Sequence, residues 1–315
     1  MHNNIKKVTC VGSGLIGQGW ATLFLAKRYE VTLQDLNQDL LKSATEQIAL
    51  NLKFMESNGL LQKGEAAQAG KHIRATTELA EAVRGADYIQ ECVFDNYPVK
   101  KEVFKALDAL VRADTIIASS SSGLLMSEIQ TVVTHPERCV LTHPFLPVHL
   151  VPLVEIVGGG QTSPETVQLA YDLMVNLGKV PVRLKKEVSG YIVNRLQAAI
   201  LREALDLVVT GVASAEEVDK AFCTGMGMRD PFIGPLLRAH LAGDGIENFL
   251  EHYSDSYRVR WESMATWKSV SPRMREDLVK KIKAMPVVSE NSLDQIKNWR
   301  DKMLVEILKL ERSCC

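Results

Sequence analysis

The segment Val8-Thr9-Cys10-Val11-Gly12-Ser13-Gly14-Leu15-Ile16-Gly17 constrains this chain more than any other. A short apolar run of strand type feeds a Gly-x-Gly-x-x-Gly turn, and a helical pattern follows at once. That context separates a dinucleotide-binding turn from a glycine-rich hairpin. Gly12 permits the tight turn, Gly14 lets the backbone approach a pyrophosphate, and Gly17 lets the helix pack closely on the strand. The phosphates then face amide groups at the positive end of a helix. A second apolar run, Val31-Thr32-Leu33, precedes Asp35, which lies 18 residues beyond Gly17, where a carboxylate accepts hydrogen bonds from an adenosine ribose. A carboxylate there favours NAD over NADP, because it repels a 2′-phosphate. The alternative for Asp35 is an ordinary helix N-cap.

A chain of 315 residues is long for one compact domain and argues for two. With 37 basic and 38 acidic residues it has no electrostatic footprint for nucleic acid or an anionic membrane. No apolar stretch is long enough to span a bilayer, and the first residues lack the apolar core of a signal peptide. A cytoplasmic protein with small-molecule partners, or a second copy of itself as partner, is expected. Cys10, Cys92, Cys139 and Cys223 are scattered singly and only Cys314 and Cys315 adjoin, so no cysteine pattern fits a metal site and reduced, structural thiols are expected.

Strand-length apolar runs alternate with helical patterns through the first part of the chain, the signature of a parallel sheet covered on both faces. Strands are predicted at Val8 to Val11, Glu30 to Leu33, Asp87 to Val93, Thr115 to Ser119, Cys139 to Thr142, Val151 to Val157 and Val180 to Leu184. A helical pair over Asn37 to about Gly70, with Leu40, Ala44, Ile48, Leu52 and Met55 on its apolar face, is inserted in this pattern. Helices are also expected at Val99 to Leu110 and Pro164 to Leu177. From Ser189, taken as an N-cap, only helices follow. The fold class is therefore α/β: a Rossmann-type, doubly wound, mostly parallel sheet over 1–186, then an all-helical domain over 187–315. Apolar faces at Leu236-Leu237 and Leu304 to Leu310 suggest a homodimer built on the helical domain.

Ligands of such sheets collect at the carboxyl ends of the strands. Three polar clusters stand there. Ala118-Ser119-Ser120-Ser121-Ser122-Gly123 follows a strand directly, and its plainer reading is a serine-rich turn capping the next helix. His143 closes another strand, in Thr142-His143-Pro144-Phe145, and Glu155 is an acid isolated in the apolar run Leu153 to Val157. Such an acid needs a partner: the histidine, as a base oriented by a carboxylate, or a lysine or arginine in a plain salt bridge. The third cluster is Gly190-Tyr191-Ile192-Val193-Asn194-Arg195-Leu196, where Asn194 by itself reads as a polar residue on a helix.

Taken together and in this order behind the glycine turn, Ser-Ser-Ser-Gly-Leu, His-Pro-Phe, Leu-Val-Glu-Ile-Val and Gly-Tyr-Ile-Val-Asn-Arg-Leu resemble the 3-hydroxyacyl-CoA dehydrogenase family. The resemblance covers nearly the whole length. It implies that His143 is the base for a hydroxyl proton while hydride passes to NAD, that Glu155 orients and charge-stabilises the imidazole, and that Ser122 and Asn194 hydrogen-bond substrate oxygen or nicotinamide. It further implies Leu15 and Ile16 at the pyrophosphate, and Asp95 and Lys100 near the ribose or nicotinamide, although Phe94 to Lys100 departs from the family at several positions. The largest departure is Leu146, where the family has Asn in His-Pro-x-Asn-Pro.

Arg229 is the one independent clue to substrate class. Its guanidinium offers a planar fork for a carboxylate, in a loop shaped by Gly225, Gly227 and Pro231; an internal pair with Asp230 or Asp244 is the alternative. The expected reaction interconverts a free 3-hydroxy acid and its 3-oxo acid, with gulonate, carnitine or a smaller acid as substrate. A 3-hydroxyacyl-CoA dehydrogenase and a catalytically weak NAD-binding structural protein are the competing readings.

Overall fold

A computed structural model describes residues 5–313, with side chains through residue 310. Eight strands form one sheet: β1 (Lys7–Val11), β2 (Glu30–Gln34), β3 (Ile73–Thr76), β4 (Tyr88–Glu91), β5 (Ile116–Ser119), β6 (Cys139–Pro144), β7 (Leu153–Gly158) and β8 (Val180–Arg183), in the order β3-β2-β1-β4-β5-β6-β7-β8. Every neighbouring pair is parallel except β6 with β7. The strand order reverses direction between β1 and β4, which opens a crevice beyond their carboxyl ends. Strands β4, β5 and β6 are buried throughout, which is why none of them alternates apolar with polar residues.

Two apolar clusters cover the sheet. One gathers Trp20, Phe24, Leu33, Leu41, Ile48, Leu52 and Tyr88; the other gathers Phe104, Leu107, Ile117, Met126, Leu141 and Tyr191. The expected helical pair is present as Gln38–Ser57 and Glu65–Ala69. Its buried face starts at Leu41 rather than Leu40, which is exposed, because Asn37 caps the helix and sets its phase. Strand β3 was not legible in the sequence. It is four residues at the sheet edge, paired only with β2 and half-exposed, so it carries little apolar signal.

The chain divides into two compact units, Met1–Asn194 with Arg300–Cys315, and Arg195–Trp299. The sequence placed the junction at 186/187 and assigned the last residues to the second domain; here the residues from Arg300 onward belong to the first unit. Ser189 is not an N-cap. The helix begins at Val193, after a turn with Gly190 and Tyr191 at φ of 76° and 50°. The second unit is helical, with a small core of Val208, Ala215, Leu278 and Met285. Among the described residues no helix is long and apolar enough to cross a membrane, and no cluster of His, Cys, Asp and Glu has the makings of a metal site. The described cysteines are all free thiols.

Candidate active site

The glycine turn lies at the carboxyl end of β1, and each glycine has its own reason. Gly12 has φ of +99°, and a Cβ there would lie 2.7 Å from the Cys92 carbonyl oxygen. A Cβ on Gly17 would lie 1.9 Å from the Gly12 carbonyl oxygen, so the helix could not approach the turn. A Cβ on Gly14 would meet no such atom within 4 Å, so the position opens onto space where a ligand's phosphates can approach the backbone. The following helix, Leu15–Ala26, has Gly14 as N-cap and no side-chain cap, so the amides of its first turn, Leu15 and Ile16 among them, face that space. Asp35, just past β2, accepts from the Ser13 amide at 2.8 Å and the Ser13 hydroxyl at 2.7 Å, which ties it to the glycine turn. The helix N-cap is Asn37, so Asp35 is not one. These residues fit a dinucleotide: an anion cradle at a helix end, with a carboxylate at the end of the neighbouring strand β2.

The four serines after β5 hold different positions. Ser119 donates to the buried Glu91 at 2.7 Å. Ser120 accepts from Gln90 at 2.7 Å and from the Trp20 indole at 3.1 Å. Ser121 closes a turn by accepting from the Leu124 amide at 2.9 Å. Only Ser122 is exposed, and its amide and hydroxyl both donate to Asp95 Oδ2, at 3.0 and 2.8 Å. The next helix is not capped by these serines, because Glu187 accepts its Ser127 amide.

His143 and Glu155 meet across β6 and β7, where they are register partners. His143 Nδ1 is 2.9 Å from Glu155 Oε2, and both residues are buried. The other carboxylate oxygen, Oε1, accepts from the amides of Ile192 and Val193 at 2.9 and 3.0 Å, the entry of the helix Val193–Val209. Burial works against ionisation of Glu155, yet the His143 hydrogen bond and the two amides outweigh it, and the carboxyl stays below its ordinary range. An ionised Glu155 keeps the proton on Nδ1 and makes Nε2 the basic nitrogen. Among the described residues the ion pair found for Glu155 is with His143, so the histidine rather than a plain lysine or arginine salt bridge is the arrangement found. Phe145 and Tyr191 hold the imidazole between them, with ring centroids at 4.6 and 5.2 Å. Asn194 Nδ2 donates to the Ser122 carbonyl oxygen at 2.8 Å, bringing Asn194 to the serine turn. Leu146, three residues past His143, is half exposed.

Lys100, which the resemblance assigns to the cofactor, pairs with a buried acid. Its side chain is 1% exposed and its ammonium sits 2.8 and 2.9 Å from the two Glu91 oxygens. Glu91 also accepts from the Val93 amide at 2.7 Å. Sequence reasoning missed Glu91, although it is an acid inside an apolar strand like Glu155 and the same argument applies to it. Tyr191 was missed as a wall of the histidine because its ring reaches the core through a left-handed backbone that no pattern announces. In the second unit, Arg229 is exposed, and Asp230 pairs with Arg238 instead. The turn bearing Arg229 follows a π-helical stretch, Phe222–Met226.

Two family models match the chain: 3-hydroxyacyl-CoA dehydrogenase, NAD binding domain, over residues 7–188, and 3-hydroxyacyl-CoA dehydrogenase, C-terminal domain, over residues 190–281. The chain belongs to the 3-hydroxyacyl-CoA dehydrogenase family. It is an NAD-dependent oxidoreductase of that family, and the glycine turn lies within the matched NAD binding domain. Relatives within the family include a lambda-crystallin homolog of Rattus norvegicus, 39% identical over 97% of this chain and 96% of that protein. An L-carnitine dehydrogenase of Bacillus cereus is 37% identical over 98% of this chain and 93% of its own length. Among solved structures, 5-formyl-3-hydroxy-2-methylpyridine 4-carboxylic acid 5-dehydrogenase, an NAD+-dependent dismutase, superposes with a TM-score of 0.83 at 28% identity, covering 98% of both chains.

Proposed function

We propose that this family member interconverts a free 3-hydroxy acid and its 3-oxo acid. His143 Nε2 takes the hydroxyl proton as the carbon-bound hydrogen leaves as hydride, and the C–O single bond becomes a carbonyl. NAD, when bound, supplies the hydride acceptor. Glu155 holds the imidazole in the productive tautomer and stabilises the imidazolium that forms. Ser122 and Asn194 act at the same edge, on the reacting oxygen or the nicotinamide.

The observation that carries the choice of a free acid is Arg229: an exposed guanidinium whose neighbour Asp230 is engaged by Arg238, with no ion pair of its own among the described residues. An L-carnitine dehydrogenase among the relatives supports the same substrate class. A panel of free 3-hydroxy acids, carnitine and gulonate included, with one 3-hydroxyacyl-CoA tests the reading by NADH formation, with His143→Gln as control. Turnover of the acids and not the thioester is expected, and Arg229→Met raises KM for the acid about tenfold or more with KM for NAD unchanged. Thioester turnover alone makes the chain a 3-hydroxyacyl-CoA dehydrogenase, and equal losses for acid and NAD remove Arg229 from the substrate. The same reading includes a cytoplasmic homodimer built on the second unit. The exposed Leu236, Leu237 and Leu241 support the dimer, and sedimentation tests it.

A further inference from the structure

The carboxylate that follows β2 is held by three protein donors. Oδ2 of Asp35 accepts from the Ser13 amide at 2.8 Å and from the Ser13 hydroxyl at 2.7 Å, and Oδ1 accepts from the Leu36 amide at 2.8 Å. Ser13 is fixed in turn. It is buried, and its carbonyl oxygen accepts from the Gln18 side chain at 2.8 Å, in the first turn of the helix Leu15–Ala26. Beside this pair the Gly12 amide donates to the Gln34 carbonyl oxygen at 2.8 Å, so the backbone of the glycine turn is tied to β2 independently of any side chain. A carboxylate oxygen offers two lone pairs, and Ser13 takes both of those on Oδ2. Oδ1 keeps one for a ligand.

We propose that Ser13 is a positioning residue for Asp35: its hydroxyl locks the carboxylate with Oδ1 presented to the adenosine ribose of the cofactor, and Ser13 thereby sets the preference for NAD over NADP through Asp35. Two consequences follow from the lock. A carboxylate already held in one rotamer spares NAD the cost of ordering it. A 2′-phosphate, by contrast, meets a negative charge that cannot turn aside. Without the hydroxyl, Oδ2 keeps only the Ser13 amide, and the side chain gains the freedom to swing away from a phosphate. The choice of hydroxy acid does not enter, because dinucleotide binding is read directly.

Dissociation constants for NADH and NADPH, measured by fluorescence titration, test the role of Ser13 without turnover. Ser13→Ala weakens NADH binding about fivefold or more and changes NADPH binding by less than about twofold, so the preference for NADH falls. In the Asp35→Asn background the same substitution changes NADH binding by less than about twofold, because Ser13 acts through Asp35. Ser13→Ala retains the backbone bonds from Gly12 to Gln34 and from Ser13 to Asp35, and a thermal melt without nucleotide checks that it folds. In crystals of the wild-type protein with NADH, a ribose hydroxyl lies on Asp35 Oδ1 while Ser13 Oγ stays within hydrogen-bond distance of Oδ2. A serine that only stabilises the turn would weaken both nucleotides alike, since both use the same pyrophosphate cradle. The inference is overturned by equal losses for NADH and NADPH, by a loss of the same size in the Asp35→Asn background, by unchanged NADH affinity, or by a Ser13 hydroxyl turned from Asp35 to the ribose.

Discussion

His143 and Glu155 face each other across the one antiparallel pairing that the described sheet contains. Directly opposed residues on antiparallel strands bring their side chains together without help from any loop. The reversal of β7 against β6 therefore delivers the histidine and its carboxylate as a built pair. A parallel β7 would have needed a crossover between them. The same carboxylate also receives the first amides of the helix Val193–Val209, so the imidazole, the strand pair and the entry to that helix share one acid.

This sharing makes Glu155→Gln informative. Both carboxylate oxygens accept hydrogen bonds, and glutamine supplies only one acceptor. Whichever way its amide turns, either His143 Nδ1 or the Ile192 and Val193 amides face an NH2 group. The variant should lose about 100-fold or more in kcat and about 1–3 kcal/mol of stability from the buried donors left unpaired. Turnover with NAD and unfolding by urea measure the two losses. Full activity with lost stability would make Glu155 a helix cap alone.

The pH dependence of stability follows from the same group. Glu155 sits below its ordinary range in the folded chain, so the unfolded chain binds its proton first as pH falls. Its contribution is fully present above about pH 4.5, the free value, and is lost as pH drops through the folded value. The stability gap between wild type and Glu155→Gln should be constant near neutrality and close progressively below about pH 4.5. A gap that stays level down to pH 3 would mean that the carboxyl is not held ionised by its partners.

Much of this was legible because each signal was local. The glycine turn, the buried apolar strands and the lone acid Glu155 each announce a physical need within a few residues. The sequence also pointed His143 and Glu155 at one another, since a buried carboxylate demands a partner. What escaped was set by tertiary contacts. Strand β3 is an edge with little apolar content, and Tyr191 reaches the histidine through a left-handed turn. Lys100 and Asp95, carried over by resemblance, take partners that only the folded chain reveals: Glu91 for one, the serine turn for the other.

Two glycines in the turn should separate folding from binding. At Gly17 a Cβ would meet the Gly12 carbonyl oxygen at 1.9 Å, a backbone atom that cannot swing aside. Gly17→Ala should therefore lower the unfolding temperature and abolish NADH binding together. At Gly14 an added Cβ meets no protein atom within 4 Å and fills only the space that the phosphates approach. Gly14→Ala should keep the wild-type unfolding temperature within a degree or so and weaken NADH binding by about tenfold or more. Thermal melts with NADH titrations check both, and unweakened binding by Gly14→Ala would move the pyrophosphate elsewhere.

Lys179 offers a test of the loop that joins the strands of His143 and Glu155. Its ammonium is buried, lies 5.7 Å from the Trp20 ring centroid, and donates to the carbonyl oxygens of Val148 and Val151. Lys179→Met fills the same volume but withdraws the donor from both carbonyls, which should cost about 1–3 kcal/mol and lower kcat through the loosened strand connection. Burial lowers the pKa of Lys179 to about 7, so between pH 7 and its ordinary 10.5 the unfolded chain binds a proton that the folded chain has released. Stability owed to this group therefore rises with pH across that window, and the urea midpoint of the wild type should climb relative to Lys179→Met from pH 7 to pH 10. A flat difference would show instead that the two carbonyls and the indole hold the ammonium charged against its burial.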